Sequence, residues 1–316
     1  MASSSSPQPL STPEAFILGG IAACCAVTVS NPAEVAKTRL QLQGELVKDN
    51  SKRVYRNTLD VLVKTTRNEG IRGIQRGLAP AILVNGARLG FYEPFRQTAN
   101  NFLGLSPTEQ NTATSVLAGA TSGAVGATLG NPLFLIKARM QAYSPSLPVG
   151  TQRHYRNSFN ALSSVIREEG FRGLLRGTNA AVLRTAMGSS VQVPSYMWTK
   201  RQLVNRGILS AESFWTYLIS SSVSGLFVLA IMQPTDTVLT RMYNQPTKTL
   251  PNGRTVGALY RNPIDALWKI AKIEGVLGWY KGTAAHFLRI TPHTIITLTA
   301  NDLIINLYRK IRSRQS

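Results

Sequence analysis

Two arginines in the second half of the chain have the chemistry and the spacing to bind one anion together. Arg184 stands thirteen residues before Met197, and Arg289 stands thirteen residues before Asp302. At about 1.5 Å per residue of helix, Arg184 would lie about 20 Å along its helix from Met197, and Arg289 the same distance from Asp302. A guanidinium binds a carboxylate through two parallel hydrogen bonds, so two guanidiniums at one depth suit a dianion. The alternative is that each arginine braces its helix by bonding to backbone carbonyls.

Other charges recur at a fixed interval near the ends of predicted helices. In the segment PAEVAKTR, Glu34 and Lys37 are three residues apart and would share a helix face. Glu93 and Arg96 have the same interval, and Arg88, five residues before Glu93, is a third candidate for the anion site. Such charges either pair between helices or face lipid headgroups from the helix ends.

Other kinds of site have little support in the sequence. His154, His286 and His293 form no cluster with cysteine and carboxylate at metal-ligand spacing, so no metal is expected. His293 either contacts a substrate or packs between helices. Cys24 and Cys25 are adjacent and cannot form a disulfide framework. Without a nucleophile–base constellation or a glycine-rich phosphate loop, we expect neither an enzyme nor a cofactor.

The composition favours an acidic partner. The formal charge is +20 and the pI is near 10.5, which nucleic acid, anionic lipid or an anionic solute could balance. A nucleic-acid-binding protein concentrates its basic residues on one surface or tail, whereas here they recur periodically. The mean hydropathy of −0.03, with no uninterrupted apolar run of about 20 residues, does not decide whether the chain enters a membrane.

Three landmarks recur in the same order and identify three tandem repeats. They are a proline that closes a small-residue segment (Pro32, Pro132, Pro234), Tyr-Arg-Asn (Tyr55, Tyr155, Tyr260), and Glu-Gly followed by a basic-Gly pair (Glu69, Glu169, Glu274). The prolines are 100 and 102 residues apart, and the other two landmarks are 100 and 105 residues apart. The predicted division is a disordered tail at 1–12 and repeats at 13–106, 107–207 and 208–316.

Each repeat is predicted to hold two long helices with a short amphipathic helix between them. The first long helices are predicted at 13–42, 111–143 and 212–243, and the second begin after Gly77, Gly177 and Gly282. Small residues nine and thirteen positions before each proline would let helices approach closely, as in membranes. Repeat 1 has 16 residues from Gly77 to Glu93, against 20 in the equivalent parts of the other repeats. Its second helix therefore lacks about one turn.

The motif Pro-x-acid-x-x-Lys-x-Arg, followed by Glu-Gly and a basic-Gly pair, resembles that of the mitochondrial carrier family over residues 15–312. The resemblance implies an all-α membrane protein, with six transmembrane helices in three repeats related by pseudo-three-fold symmetry. It implies a central cavity that opens alternately to the two sides of the mitochondrial inner membrane. It also implies cardiolipin bound near the basic-Gly helix starts, and we expect a monomer that binds no nucleic acid.

In this family the acid of one repeat pairs with the base of the next, which predicts two layers that act as gates. The predicted matrix pairs are Glu34–Lys137, Asp236–Lys37 and Phe134–Leu239, and the predicted cytoplasmic pairs are Glu93–Lys200, Asp302–Arg96 and Met197–Ile305. In each layer the two positions that depart from the charged motif meet each other, so no charge is left without a partner. The residues nine positions after the prolines are expected to brace the matrix pairs by hydrogen bonds: Gln41, Gln141 and Tyr243.

The resemblance also implies a substrate class. Arg184 and Arg289 match substrate contact points, and Arg184-Thr185 is similar to the arginine-polar pair of keto-acid carriers, where nucleotide carriers have Gly-aliphatic. The expected substrates are small dicarboxylates or oxo-acids such as oxaloacetate, with malonate and sulfate as further candidates. The alternative is another dicarboxylate or oxoglutarate exchanger. The sequence leaves open whether transport is exchange or uptake with a proton.

Overall fold

The computed structural model describes residues 12–47, 53–84, 112–211, 213–253 and 255–315. Five long helices lie in these ranges: α1 (Thr12–Leu42), α3 (Thr112–Ala142), α6 (Thr178–Asn205), α7 (Phe214–Asn244) and α9 (Thr283–Gln315). Residues 78–84 are also helical, directly after Gly77. The predicted long helices are confirmed to within two residues at each described end. The prolines at positions 32, 132 and 234 lie inside α1, α3 and α7.

Short helices connect the long ones, as the amphipathic segments predict. They are α2 (Thr58–Ile74), α4 (Ser158–Glu169), α5 (Phe171–Leu174), α8 (Pro263–Glu274) and a 3-10 helix at Val276–Tyr280. The asparagine of each Tyr-Arg-Asn landmark caps the following helix, because its side chain accepts a hydrogen bond from a first-turn N–H. Gly170 ends α4 with a φ of 71°, a conformation that glycine adopts without steric cost.

Two sequence expectations need correction. A two-stranded hairpin, β1 (Thr247–Thr249) and β2 (Thr255–Gly257), lies in repeat 3 of a chain expected to be all-α. It fills the extra length between proline and tyrosine in repeat 3, where Pro-Asn-Gly favours a turn. Gly225 does not serve close helix approach, since it is exposed and an added Cβ would meet nothing within 4 Å.

Only α7, among the described residues, is long and apolar enough by composition to count as a candidate membrane span. Of the other long helices, α1, α6 and α9 carry more charged residues than α7, α3 carries as many, and all four also contain polar residues. In α1 and α3, several of these polar side chains are buried against neighbouring helices.

Three buried arginines join each repeat to the next. Each lies in the last turn of α1, α3 or α7, and its guanidinium donates to backbone carbonyls at the end of the corresponding helix in the following repeat. The order is cyclic: Arg39 bonds to Gln141 O and Tyr143 O, Arg139 to Tyr243 O, and Arg241 to Gln41 O. Because helix C-terminal carbonyls lack partners within their own helix, these bonds cap the helices and close the ring of repeats.

The same arginines bind the glutamates of the Glu-Gly landmarks. The ion pairs are Arg39–Glu69 at 2.7 Å, Arg139–Glu169 at 2.8 Å and Arg241–Glu274 at 2.5 Å. Burial alone would raise the pKa of these carboxyls, but hydrogen bonds and charge from the arginines outweigh burial and lower the pKa of all three. Glu169 serves three cations, since Arg153 and Arg176 also bind it.

We expect Glu169→Gln to destabilise the protein by about 3 kcal/mol, because it leaves buried guanidiniums without a counter-charge. Thermal unfolding of the detergent-solubilised chain measures the loss. Lys64→Gln is the control, since it breaks the partly exposed Lys64–Asp60 pair and should leave the melting temperature nearly unchanged. Equal losses in the two variants would contradict the importance of the buried cluster.

The turn after α1 carries a further acid at the junction of repeats 1 and 3. Leu46, the only described residue besides glycine with positive φ (55°), donates its N–H to Glu274 Oε1 at 2.8 Å. The neighbouring Glu45 Oε1 and the Tyr260 hydroxyl are both buried, and the two side chains interact with each other. Burial raises the pKa of Glu45 from 4.5 to about 7.

This pKa predicts a pH-dependent stability. Between pH 4.5 and about 7 the folded state binds a proton at Glu45 that the unfolded state has released, so wild-type stability falls as the pH rises. Glu45→Gln, which stays neutral, should therefore gain stability relative to wild type between pH 6 and pH 8. Melting temperatures at both pH values measure this, and a constant difference between the proteins would exclude Glu45 as the titrating group.

Candidate functional site

The two ion pairs expected in the matrix layer are present. Lys137 Nζ lies 2.6 Å from Glu34 Oε1, and Lys37 Nζ lies 2.5 Å from Asp236 Oδ2. The acids stand two residues after the prolines and the lysines five residues after them, on α1, α3 and α7. All four side chains are at most 13% exposed, so the pairs lie inside the helix bundle.

The third position of this layer is apolar, as expected. Phe134 of α3 and Leu239 of α7 pack against one cluster of buried side chains that joins repeats 2 and 3. The buried members of that cluster are Leu135, Val165, Leu174 and Tyr243. The layer thus holds two ion pairs, and its third position is apolar.

The predicted braces behave differently from one another. Gln41 donates to Asp236 Oδ2 at 3.0 Å, as expected. Gln141 donates instead to Asn31 Oδ1 at 3.1 Å, and the Tyr243 hydroxyl donates to Asn131 Oδ1 at 2.8 Å. These two side chains therefore orient an amide next to the layer and make no hydrogen bond to its carboxylates.

The amides that receive these bonds were not singled out from the sequence. An amide residue precedes each proline, and its side-chain N–H₂ donates to the carbonyl of the basic residue before the next helix. The bonds run from Asn31 to Arg76 O (3.3 Å), from Asn131 to Arg176 O (3.1 Å) and from Gln233 to Lys281 O (3.1 Å). The sequence could have identified these amides, because Asn-Pro, Asn-Pro and Gln-Pro stand at matched positions of the three repeats. Each amide ties the first long helix of its repeat to the start of the second.

The two candidate arginines lie beside the matrix layer, and each approaches one of its carboxylates in addition to the anion site expected from the sequence. Arg184 Nε lies 2.7 Å from Asp236 Oδ1, and Arg289 Nη1 lies 3.9 Å from Glu34 Oε1. The sequence placed them at a common depth but could not show that the matrix acids are within reach. Arg289 Nε is buried and has no acceptor among the described residues. The Thr185 hydroxyl bonds to the Ala181 carbonyl at 2.9 Å, within its own helix.

Most of the predicted cytoplasmic layer cannot be placed. Arg88, Glu93 and Arg96 lie outside the described residues, and the side chains of Asp302 and Ile305 in α9 are not described either. Met197 is exposed on α6. Lys200 Nζ lies 4.8 Å from the centre of the Tyr217 ring, a cation–π contact. The cytoplasmic pairs remain predictions.

The histidines take structural positions. His286 is buried with Nδ1 2.7 Å from Gln233 Oε1, and since the Gln233 amide donates elsewhere, Nδ1 carries the proton. His293 Nδ1 lies 3.1 Å from Ser30 Oγ, which fits the packing alternative. Within the described ranges, no group of His, Cys, Asp and Glu could hold a metal ion.

Comparison with known proteins agrees with this architecture. The family model described as "Mitochondrial carrier protein" matches residues 8–103, 108–207 and 210–312. The "Mitochondrial oxaloacetate transport protein" of Schizosaccharomyces pombe is 48% identical, covering 94% of this chain and 91% of that protein. The "Mitochondrial citrate transporter E" of Aspergillus niger is 45% identical over 96% of each chain. The Saccharomyces cerevisiae "Mitochondrial oxaloacetate transport protein" is 44% identical over 97% and 93%. With three repeats matched over nearly its whole length, the chain belongs to the mitochondrial carrier family.

Proposed function

We propose that this chain is a multi-pass transporter of the mitochondrial inner membrane that carries small dicarboxylate and oxo-acid anions, oxaloacetate foremost. Two of the similar fungal proteins are named as oxaloacetate transport proteins. Malonate and sulfate, which are smaller dianions, are further candidate substrates. The transport needs no covalent chemistry, so no catalytic residue is assigned.

The observation that carries this proposal is the charge balance beside the matrix layer. Among the described side chains of this cluster, Lys37, Lys137, Arg184 and Arg289 face only two carboxylates, Glu34 and Asp236. His286 adds no charge, because its ring is buried and Nε2 has no hydrogen-bond partner among the described residues, so that nitrogen carries no second proton. The cluster therefore has an excess of two positive charges in a partly buried site. A dianion neutralises that excess, whereas a monoanion leaves one charge uncompensated.

The fold supports passage across a membrane. The five described long helices have 28 to 33 residues, or about 42 to 50 Å at 1.5 Å per residue, and a bilayer core is about 30 Å thick. With the helix that starts at residue 78, we propose six transmembrane helices with pseudo-three-fold symmetry, in repeats at 13–106, 107–207 and 208–316. The protein is proposed to act as a monomer, with cardiolipin at the helix starts after the basic-Gly pairs.

Transport follows as alternating access between two layers that break in turn. Here the matrix pairs are formed, so this arrangement corresponds to a cavity closed toward the matrix. The proposed substrate contacts are Arg184, Thr185, Arg289 and Arg88. The cytoplasmic layer, with Glu93, Arg96, Lys200, Asp302, Met197 and Ile305, would close as the matrix layer opens.

The other candidates have less support. Citrate is carried by one similar protein according to its name, but a trivalent anion exceeds the charge excess of two. Another dicarboxylate or oxoglutarate exchanger is not favoured, since two of the similar proteins are named for oxaloacetate. A nucleic-acid-binding protein is not favoured either, because the basic residues recur through three repeats and several of them pair with buried carboxylates inside the bundle.

The first test is uptake of labelled oxaloacetate, malonate, sulfate, oxoglutarate, citrate and ADP into liposomes. We expect uptake of the small dianions, and Arg184→Ala should reduce it about tenfold or more because a charge-assisted contact is lost. Arg206→Ala, at the exposed end of the same helix, is the matched control and should retain uptake. Uptake of ADP alone would contradict the proposed substrate class.

The matrix gate is tested by neutralising its members singly and together. Glu34→Gln leaves buried Lys137 beside Arg289 without a counter-charge, so we expect about tenfold slower uptake. Glu34→Gln with Lys137→Gln removes that unpaired charge and should transport faster than Glu34→Gln alone. A double variant no better than the single one would show that the two residues do not act as a pair.

A further inference from the structure

Each carboxylate of the matrix layer is shared between a lysine and an arginine. Asp236 binds Lys37 through Oδ2 and Arg184 through Oδ1, at 2.5 and 2.7 Å. Glu34 binds Lys137 at 2.6 Å, and Arg289 lies 3.9 Å from the same oxygen. The two arginines that would hold the substrate are thus already occupied by carboxylates of the protein.

We propose that Asp236 and Glu34 act as internal stand-ins for the two carboxylates of the substrate, which displaces them from Arg184 and Arg289. This inference rests on the proposed function and adds a competition to it. A substrate carboxylate and an aspartate carboxylate accept the same hydrogen bonds from a guanidinium, so one replaces the other in kind. No charge loses its partner in this exchange, because each arginine takes a substrate carboxylate and each acid keeps its lysine.

The exchange conserves charge pairing at every site. Before binding, two carboxylates are shared by four cations; afterwards, each acid has one lysine and each substrate carboxylate has one arginine. The matrix layer loses its contacts to the arginines at the same moment, so substrate binding weakens the layer that must open next. A monocarboxylate can displace only one of the two acids and therefore releases only one side of the layer.

The two sides are not equally easy to displace. The Arg184–Asp236 contact is short, and Gln41 holds the same carboxylate at 3.0 Å. The Arg289–Glu34 contact is longer, and Arg289 Nε is still without an acceptor among the described residues. The first substrate carboxylate therefore binds at Arg289, and the second completes the exchange at Arg184.

Binding of malonate and of oxaloacetate to the detergent-solubilised full chain tests the competition, with the Kd taken from the ligand-dependent rise in melting temperature. Asp236→Asn should lower the Kd about fivefold, because it frees Arg184 from an ion pair worth about a factor of five. The change is measured in three backgrounds: wild type, Arg184→Gln and Arg289→Gln. We expect the full gain in wild type and in Arg289→Gln, and a gain at least threefold smaller in Arg184→Gln.

The three backgrounds separate competition from simple removal of a negative charge. Asp236→Asn removes the same charge and releases Lys37 in all of them, so an equal gain in all three overturns the inference. The pair Glu34→Gln and Arg289→Gln gives a second cycle, with a smaller gain expected from the longer contact, and serves if Asp236→Asn does not fold. If wild type binds neither dianion, the proposed function fails as well. If wild type binds the dianions but Asp236→Asn gives the same gain in all three backgrounds, only the competition is wrong.

Discussion

A charge buried among packed helices must have a partner, and this constraint determines much of the bundle's interior. Its effect is clearest in the segment Lys37-Thr38-Arg39 and its counterpart Lys137-Ala138-Arg139. Residues two apart on a helix point about 200° apart, so each segment sends one base inward and one outward. The inner lysine meets the acid of another repeat, and the outer arginine meets the glutamate of its own repeat. One short motif thereby supplies both the matrix layer and the arginine–glutamate pairs.

The two kinds of pair differ in their surroundings. Arg39, Arg139 and Arg241 also bind backbone carbonyls, so their guanidiniums are held from several sides. Lys37 and Lys137 each hold a carboxylate that a nearby arginine also approaches. A group held by a single side-chain contact can change partners at low cost, whereas one bonded to two helices and a glutamate cannot. This difference supports the proposal that the matrix layer opens while the arginine–glutamate pairs stay formed.

The sequence was sufficient for the features that depend on position along one helix. The helix boundaries followed from the proline, Tyr-Arg-Asn and Glu-Gly landmarks, and the matrix ion pairs followed from the family's cyclic pairing. It was not sufficient where side chains of different helices compete for one partner. Arg184 and Arg289 were placed at a common depth, but their contacts with Asp236 and Glu34 depend on how α6 and α9 face the layer. Gln141 was expected at a carboxylate and donates to Asn31 Oδ1 instead.

The cyclic order of the arginine–carbonyl bonds has a consequence for how the protein is made. Arg39 and Arg139 bind helices that are synthesised after them, but Arg241 binds the Gln41 carbonyl, which leaves the ribosome about two hundred residues earlier. The Gln41 carbonyl at the end of α1 therefore has no arginine partner until the last repeat has packed against it. The third repeat therefore completes the assembly of this protein. A chain that stops after two repeats lacks Arg241 and leaves the ring of arginine–carbonyl bonds open at the end of α1.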